Sequence, residues 1–331
     1  LSRAEVAEAT GLSKPTVSTS FTRLAERGVL RETGVREGRR GGVATLFQIN
    51  PDHGRSLTVV IQNDAIIVQS RDLSGAVCAQ HQSAVHADST PAHIIAQTNA
   101  LIEAATIAHS TPLLTAAVSI AEPVDAQTGT PVELDRSVFP AALIDPRRDL
   151  AFPNDVVPVI DNDVNWAALG ELREGVLRGC LNFVYVYAGE GLGAGLVLEG
   201  RLFRGSRGLA GEIGYLNVGE GLDITQVLAE LGLGNRDRYG LEPHRFVDLP
   251  SSTGTAVIDA LAAAVANVAI VVNPEAVALG GPLSRIPGFT DRLGEAIAAF
   301  SIDPPRVVRS EATPLRGAAL EAHRLALEVV G

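Results

Sequence analysis

A run of amide and carboxylate side chains near the middle of the chain has the residue types and spacing of a binding or proton-transfer site. The segment Asp161–Asn165 opens a predicted helix, so Asn162 and Asp163 would stand where a strand ends and a helix begins. An aspartate in that position can take a proton from a substrate hydroxyl. An aspartate at a helix N-terminus is equally an ordinary N-cap. The residues alone leave both interpretations of Asp163 open.

Four alternating glycines follow between two predicted strands, at Gly189, Gly191, Gly193 and Gly195. This spacing lets backbone N–H groups face a phosphate without interference from Cβ atoms. A glycine-rich hairpin that binds nothing fits the same pattern, which is therefore weak evidence by itself.

The first 28 residues predict two helices separated by a glycine turn. Gly11 ends the first helix, and Ser13 is a suitable N-cap for a second that has Pro15 in its first turn and ends at Gly28. A second helix with exposed hydroxyl and basic side chains suits a DNA major groove, although helix-turn-helix is also a common packing motif. The side chains predicted to contact DNA from this helix are Ser13, Lys14, Thr16, Ser18, Thr19 and Arg23.

Two predicted strands, Val29–Thr33 and Thr45–Ile49, follow this helix. The loop that joins them, Gly34–Ala44, has the composition of a DNA-binding wing because arginines can contact phosphates and glycines allow close backbone approach. Its predicted DNA contacts are Arg36, Arg39 and Arg40. The capped helix, its hydroxyl-rich face and the arginine loop agree in order, which favours DNA binding over simple packing.

The elements that must position the central motifs belong to a larger α/β unit, since from about Arg55 apolar strand patterns alternate with alanine-rich helical ones. We expect a winged helix-turn-helix domain over residues 1–52 and an α/β domain over 53–331, with Asn50–Asp52 as the hinge. The predicted elements of the larger domain are a strand hairpin in Leu57–Gln69, helix Pro91–Ala108, strand Thr115–Ile120, helix Asp163–Glu174, strands Phe183–Ala188 and Ala194–Leu198, helix Gly254–Val272, strand Ala276–Leu279, and helices Asp291–Phe300 and Leu315–Val329.

The charge balance differs between the two predicted domains. The 331-residue chain has a formal net charge of −11, but residues 1–50 carry eight basic and five acidic side chains and are therefore net positive. The two cysteines, Cys78 and Cys180, have no spacing typical of a disulfide scaffold or a zinc site. We expect a cytoplasmic protein without a membrane span or secretion signal.

These motifs together resemble the ROK family, named for repressor, open reading frame and kinase. The matching segments are Asp161–Glu171, Gly189–Tyr215 and Asn273–Gly281, and the segment from Leu1 to Ser18 resembles the DNA-binding half of the repressor branch. The resemblance implies an actin-like ATPase fold of two α/β lobes with a sugar in the cleft between them. It also implies that Asn162 and Glu212 contact sugar hydroxyls, and that Asp163 is the catalytic base in kinase members.

Several positions depart from the kinase pattern. Gln62-Asn63-Asp64 stands where the resemblance implies a glycine-containing first phosphate loop, Glu190 replaces a threonine of the second loop, and Pro282 replaces a glycine. A carboxylate facing a triphosphate would repel it. The family's zinc site has a histidine at the position of Tyr215 and cysteines soon after, whereas Gly221–Gly234 contains no cysteine, so we expect no metal.

These observations predict a DNA-binding transcriptional regulator, most simply a repressor, that lacks catalytic activity and a bound cofactor. Its effector would be a small molecule such as a sugar, bound by Asn162, Asp163 and Glu212 in the interlobe cleft, with Gly189–Gly195 as a degenerate phosphate loop. Its other partners would be an operator with two half-sites and further copies of the chain, in a homodimer or tetramer. The alternatives are an ATP-dependent sugar kinase that uses Asp163, and a regulator whose larger domain is only a dimerisation scaffold.

Overall fold

The computed structural model describes residues 1–37, 43–86, 88–107, 110–134, 144–153, 156–219, 221–235 and 238–331. Its helices are α1 (Arg3–Thr10), α2 (Lys14–Glu26), α3 (Pro91–Ile107), α4 (Pro146–Asp149), α5 (Asp163–Glu174), α6 (Ile224–Leu228), α7 (Ser251–Val272), α8 (Phe289–Phe300) and α9 (Pro314–Val330). Its strands are β1 (Leu30–Glu37), β2 (Val43–Ile49), β3 (Arg55–Ile61), β4 (Ala65–Asp72), β5 (Val77–Ala84), β6 (Leu113–Ile120), β7 (Val159–Asn162), β8 (Phe183–Ala188), β9 (Leu192–Leu198), β10 (Arg201–Phe203), β11 (Asn217–Gly219), β12 (Leu222–Asp223), β13 (Gly234–Asn235), β14 (Arg238–Leu241), β15 (Ala276–Gly280) and β16 (Arg306–Arg309).

The N-terminal unit consists of α1, α2 and the antiparallel pair β1–β2. Both predicted helix boundaries are confirmed: Gly11 ends α1 with a φ of 70°, and the Ser13 side chain accepts a hydrogen bond from the backbone N–H of Thr16. Val17 and Phe21 on one face of α2 pack against Phe47 of β2, and the two phenyl rings meet edge to face with centroids 5.2 Å apart. The opposite face of α2 is left in solvent.

The hairpin after α2 is longer than the sequence predicted. Strand β1 continues to Glu37 and β2 begins at Val43, with a register shift between Glu32 and Gly34, so both ends of the predicted loop Gly34–Ala44 are paired strand. Residues 38–42 of the loop lie outside the described residues. Cross-strand hydrogen bonding overrides the loop-like composition here, and glycine at position 34 accommodates the irregularity with a φ of 138°.

Two five-stranded sheets with the same topology form the rest of the chain, as expected for an actin-like fold. The strand orders are β5-β4-β3-β6-β7 and β10-β9-β8-β15-β16. In each sheet the first three strands in chain order form an antiparallel meander, the fourth pairs in parallel with the first, and the fifth pairs in parallel with the fourth. We call them the first and second lobe.

The two lobes exchange helices. Helix α5 follows β7 of the first sheet but packs on β8 and β9 of the second sheet. Helix α9 follows β16 of the second sheet and packs on β3 and β6 of the first. The two helices also pack on each other. The α5–α9 pair therefore contacts the sheets of both lobes.

Helix α7 is, among the residues that the structure describes, the one helix long and apolar enough to cross a membrane. Its residues Val257, Leu261 and Val265 belong to the core of the second lobe, where they pack with Val184 of β8 and Leu293 of α8. Burial within the lobe accounts for these apolar residues, whereas Ile270 and Val271 near the end of the helix are exposed.

Candidate functional site

Asn162 and Asp163 lie where the first lobe presents the carboxyl ends of two neighbouring parallel strands. Strands β6 and β7 pair with Ile120 opposite Asn162, so the residues that follow each strand meet at one edge of the sheet. Glu122 follows β6 at this edge and is buried. Ligands of open α/β sheets bind at such edges.

The N-cap of α5 is Asn162 and not Asp163. The Asn162 side-chain oxygen accepts hydrogen bonds from the backbone N–H groups of Val164 at 2.9 Å and Asn165 at 3.4 Å. The N-cap interpretation of Asp163 was therefore wrong. Asp163 occupies the first helical position, where its Oδ1 accepts from the Val164 N–H at 2.8 Å.

The surroundings of Asp163 favour its protonated form. Burial, reinforced by the negative charge of Glu190, raises the pKa of the Asp163 carboxyl to about 7. A carboxyl that titrates near neutral pH can both accept and donate a proton, which is what a general base or a hydrogen-bonding ligand contact requires.

Glu212 is held near Asp163 by two close backbone contacts of glycines. A Cβ at Gly208 would lie 1.9 Å from the Val124 carbonyl oxygen of the first lobe, and one at Gly211 would lie 1.8 Å from the Ala194 carbonyl oxygen of β9. Both glycines have positive φ angles, 75° and 97°. Burial, together with the charges of Asp163 and Glu122, raises the pKa of Glu212 to about 7. The structure thus brings Asp163 and Glu212 together, as expected, and adds Glu122, which the sequence analysis missed.

These raised pKa values predict that stability falls as pH rises. Asp163 and Glu212 bind protons more tightly in the folded chain, with a pKa of about 7, than at their ordinary values of 3.8 and 4.5. The free energy of unfolding should therefore decrease between about pH 4 and pH 7 and level off above. We expect Asp163→Asn to raise the free energy of unfolding at pH 8 by about 2 kcal/mol and to flatten the profile. Urea denaturation at pH 5 and pH 8 measures this; a steeper profile in the variant would contradict it.

An ion pair next to the site joins the two lobes and was not foreseen. Asp161, only 2% exposed, ends β7 beside Asn162, and its Oδ2 accepts from Arg204 Nε and Nη2, both at 2.7 Å. Its Oδ1 accepts from the Asn162 N–H and from Asn165 Nδ2, each at 2.8 Å. Arg204 follows β10 of the second lobe, so the pair holds that segment against the first lobe.

Removing Arg204 should leave the buried Asp161 carboxylate without its counter-charge. We expect Arg204→Ala to lower the free energy of unfolding by about 3 kcal/mol. The matched control is Arg309→Ala, which breaks the pair with Glu311, exposed on both sides, and should cost less than about 1 kcal/mol. Equal losses for the two variants in chemical denaturation would show that the Asp161–Arg204 pair does not stabilise the lobes.

The four alternating glycines have two different structural roles. Gly189 and Gly191 form the turn between β8 and β9, where the Gly189 N–H donates to the Gly191 carbonyl oxygen at 3.0 Å. Gly193 and Gly195 lie within β9, where a Cβ would approach Val164 Cγ2 to 3.1 Å and Ala168 Cβ to 2.4 Å. The packing of β9 on α5 therefore accounts for the second pair. Of the first pair, Gly189 is buried and Gly191 is exposed.

Glu190 at the tip of that turn is held by a neighbouring tyrosine. The Tyr187 hydroxyl donates to Glu190 Oε2 at 2.7 Å, and the Glu190 carbonyl oxygen accepts from the Leu241 N–H at 2.8 Å. The two bonds hold the Glu190 carboxylate in the turn between β8 and β9. This turn corresponds to the second phosphate loop of the kinase pattern.

The predicted DNA contacts of α2 all lie on its exposed side. The exposed residues are Ser13, Lys14, Thr16, Ser18, Thr19 and Arg23. The hydroxyls of Ser13 and Thr16 bond each other at 2.7 Å at the helix start. The helix thus presents short hydroxyl side chains flanked by two cations, as the sequence predicted.

Arg36 differs from its predicted setting in the wing. It lies in β1, not in a loop, and its Nη2 pairs with Glu5 Oε1 of α1 at 2.6 Å. The Arg36 side chain is still 56% exposed, so a phosphate would have to compete with Glu5 for it. Arg39 and Arg40 lie outside the described residues.

Comparison with known proteins identifies the family. The model of the ROK family matches residues 59–227, just over half of the chain. The chain belongs to the ROK family. As a ROK protein it is 34% identical over 169 residues to the bifunctional enzyme NanE/NanK of Brucella melitensis biotype 1, with 45% of the chain and 32% of the enzyme covered. It is 27% identical over 222 residues to the xylose repressor of Caldicellulosiruptor bescii, with 66% of the chain and 55% of the repressor covered.

A solved structure extends the likeness over the whole ROK chain. The crystal structure of a ROK family transcriptional regulator, a homolog of the E. coli MLC protein, superposes with a TM-score of 0.72 at 20% identity, with 100% of this chain and 94% of that one covered. This supports the actin-like arrangement of the two lobes. The chain spans about a third to about half of the curated relatives named above, and these include both an enzyme and a repressor.

Proposed function

We propose that this ROK protein is a DNA-binding transcriptional regulator, a repressor in the simplest case, that responds to a small molecule bound between its lobes. In this proposal α1, α2 and the β1–β2 hairpin act as a winged helix-turn-helix domain over residues 1–52. Residues 53–331 act as a sugar-kinase-like sensor and oligomerisation domain.

The observation that carries the proposal is the exposed face of α2. A helix that only packed would need no more than its buried face, which here is Val17 and Phe21. The solvent face instead has hydroxyl groups near the N-terminus and cations at Lys14 and Arg23. Short side chains allow close approach to base edges, and cations contact phosphates. The similarity to a xylose repressor and to a ROK transcriptional regulator supports the same role.

The effector is proposed to contact Asn162, Asp163 and Glu212. Two carboxyl groups with pKa values near 7, next to an amide side chain, suit a polyhydroxyl ligand because each can donate or accept a hydrogen bond. A sugar or sugar derivative is the effector class that fits, and the name of the xylose repressor agrees with it. Such a ligand regulates only if its affinity differs between two arrangements of the chain.

The regulator is proposed to work as a cytoplasmic homodimer or tetramer on an operator with two half-sites, since paired recognition helices require paired sites. We propose that it lacks catalysis. The turn from Gly189 to Gly191 presents the Glu190 carboxylate, held by Tyr187, where a triphosphate would need a neutral or cationic neighbour.

Fluorescence anisotropy tests the regulator directly. The purified chain is titrated onto DNA from upstream of its own gene at physiological salt, with unrelated DNA as competitor and an Arg39→Ala/Arg40→Ala variant alongside. We expect binding that survives the competitor and weakens in the variant. Binding equal to that of unrelated DNA would contradict sequence-specific recognition at this site.

A sugar kinase is the second candidate, and the raised pKa of Asp163 is the observation that favours it. Such a carboxyl could deprotonate a sugar hydroxyl, and one of the relatives is an enzyme. An assay of ATP-dependent phosphorylation over a sugar panel, with Asp163→Asn as control, separates the two. If the wild-type chain phosphorylates a sugar and the Asp163→Asn variant does not, the chain is a sugar kinase and the regulator proposal is contradicted.

A further inference from the structure

One face of the C-terminal part of α9 packs against the N-terminal unit. Ala326 and Val330 of α9 form one apolar cluster with Val29, which lies three residues after the end of α2, and with Leu73 of the first lobe. We call this cluster the junction. Arg27 Nη1 adds a hydrogen bond to the carbonyl oxygen of Gly331 at 3.2 Å. The segment Asn50–Asp52, predicted as a hinge, lies in or beside a short 3₁₀ helix and does not leave the two parts separated.

Val29 is tied to the end of α2 by backbone hydrogen bonds. Its N–H donates to the Leu24 carbonyl oxygen at 2.9 Å, and its own carbonyl oxygen accepts from the Asn50 N–H at 2.8 Å. The Asn50 side chain donates to the Gly28 carbonyl oxygen at 2.9 Å. A displacement of Val29 therefore moves the C-terminal end of α2 with it.

The other end of α9 is in backbone contact with α5. A Cβ at Gly317 would lie 1.7 Å from the Trp166 carbonyl oxygen, and one at Gly170 would lie 3.3 Å from the Gly317 nitrogen. Midway along α9 the Ala322 carbonyl oxygen accepts from Thr115 Oγ1 of β6 at 2.8 Å. At Gly317 and Gly170 the two helix backbones are in direct contact, so at this point no side chain can absorb a movement of one helix relative to the other.

Helix α5 begins at the candidate ligand site. Asn162 caps it and Asp163 is its first residue, so a ligand that contacts both bears directly on the α5 N-terminus. Contiguous rigid elements thus run from the site through α5 and α9 to the junction. At 1.5 Å per residue, the 17 residues of α9 span about 25 Å of this path.

We propose that the α5–α9 helix pair is the device that couples the ligand site to the N-terminal unit. A change at Asn162 and Asp163 shifts α5, the glycine contact passes the shift to α9, and the C-terminal turn of α9 repositions Val29 and the end of α2. Its regulatory meaning rests on the proposed function. The coupling itself is a property of the folded chain, and by linkage it acts in both directions.

Hydrogen exchange of backbone amides in the full chain tests the coupling without DNA or ligand. Gly317→Ala forces α5 and α9 apart; its matched control, Gly294→Ala in α8, adds the same methyl group where the nearest atom is Val307 Cβ at 3.4 Å. Relative to the amides of α7, we expect exchange at Val29 and Asn50 to rise at least ~10-fold in Gly317→Ala and to stay within about twofold of wild type in the control. A rise confined to α5 and the start of α9 would overturn the proposal.

A second pair of variants perturbs the junction itself, at the C-terminal end of α9. It tests the coupling even if Gly317→Ala does not fold. Val330→Ala removes a buried contact, and Val329→Ala trims its exposed neighbour. We expect only Val330→Ala to raise exchange at Val164 and Asn165, whose N–H groups bond the Asn162 cap. Equal effects of the two variants there would overturn the coupling. If the chain did not bind DNA in the anisotropy experiment but the coupled exchange was observed, the proposed regulator function would be contradicted and the coupling between the helices would stand.

Discussion

Reversing the charges of the two basic residues of α2, in a Lys14→Glu/Arg23→Glu variant, is expected to weaken binding to operator DNA by at least ~100-fold at physiological salt. Both side chains are exposed and flank the hydroxyl groups of the helix. Each cation lost from a phosphate reduces the number of counterions released on binding, and each new carboxylate repels the backbone. The logarithmic salt dependence of the affinity should fall by about 0.9 for each phosphate contact removed. Anisotropy titrations at several salt concentrations measure both quantities.

The control for this variant is Arg178→Glu, which reverses an exposed arginine in the segment after α5. It should leave the affinity for operator DNA nearly unchanged, because long-range repulsion is screened over about 8 Å at physiological salt. Circular dichroism checks that α2 remains folded in the double variant. A double variant that is folded and binds as tightly as wild type would exclude α2 as the DNA-contacting helix.

Replacing Trp166 by alanine is expected to lower the free energy of unfolding by about 4 kcal/mol. Trp166 is the only tryptophan of the chain and is 1% exposed, packed with Ala117 of β6 and with Ala318 and Ala322 of α9. Its indole Nε1 donates to the Val118 carbonyl oxygen at 3.0 Å, so the substitution leaves both a cavity and a carbonyl without its donor. Denaturation followed by circular dichroism measures the loss, since the variant has no tryptophan fluorescence.

Trp166→Phe separates the two contributions. It keeps most of the ring volume but loses the indole N–H, so a smaller loss of about 1–2 kcal/mol is expected. If Trp166→Ala costs less than Trp166→Phe, or less than about 1 kcal/mol, the helix pair does not depend on this side chain and the packing described for α5 and α9 is wrong.

Elements whose pattern is local were predictable from the sequence. Helix α5 and strand β8 begin and end at the predicted residues, and Gly11 and Ser13 end and begin helices as expected. In each case the information lies within a few residues: a cap, a glycine, or a run of apolar side chains. Strand β5 was missed because its residues Val77–Ala84 show no buried apolar alternation. It forms through its hydrogen bonds to β4 at the sheet edge.

The candidate site was predictable in part. Asn162, Asp163 and Glu212 were singled out as residue types in family-like segments, and the structure brings Asp163 and Glu212 close enough for their charges to interact. The ion pair between Asp161 and Arg204 was not predicted, although both residues lie within those segments. The two residues are 43 positions apart, and no local sequence pattern indicates a contact over that separation. The Arg36–Glu5 pair was missed for the same reason, at a separation of 31 positions.

The sequence by itself determined the family, the order of the main helices and strands, and the residues that can bind or transfer protons, because these depend on local patterns and on side-chain chemistry. Only the tertiary structure decided which of those residues meet and what surrounds them. It made Asn162 rather than Asp163 the cap, assigned Gly193 and Gly195 to helix packing, buried Asp161 against Arg204, and packed α9 against both α5 and the N-terminal unit. The physical reason is that burial, charge interaction and close packing depend on contacts between distant segments, which only the folded chain brings together.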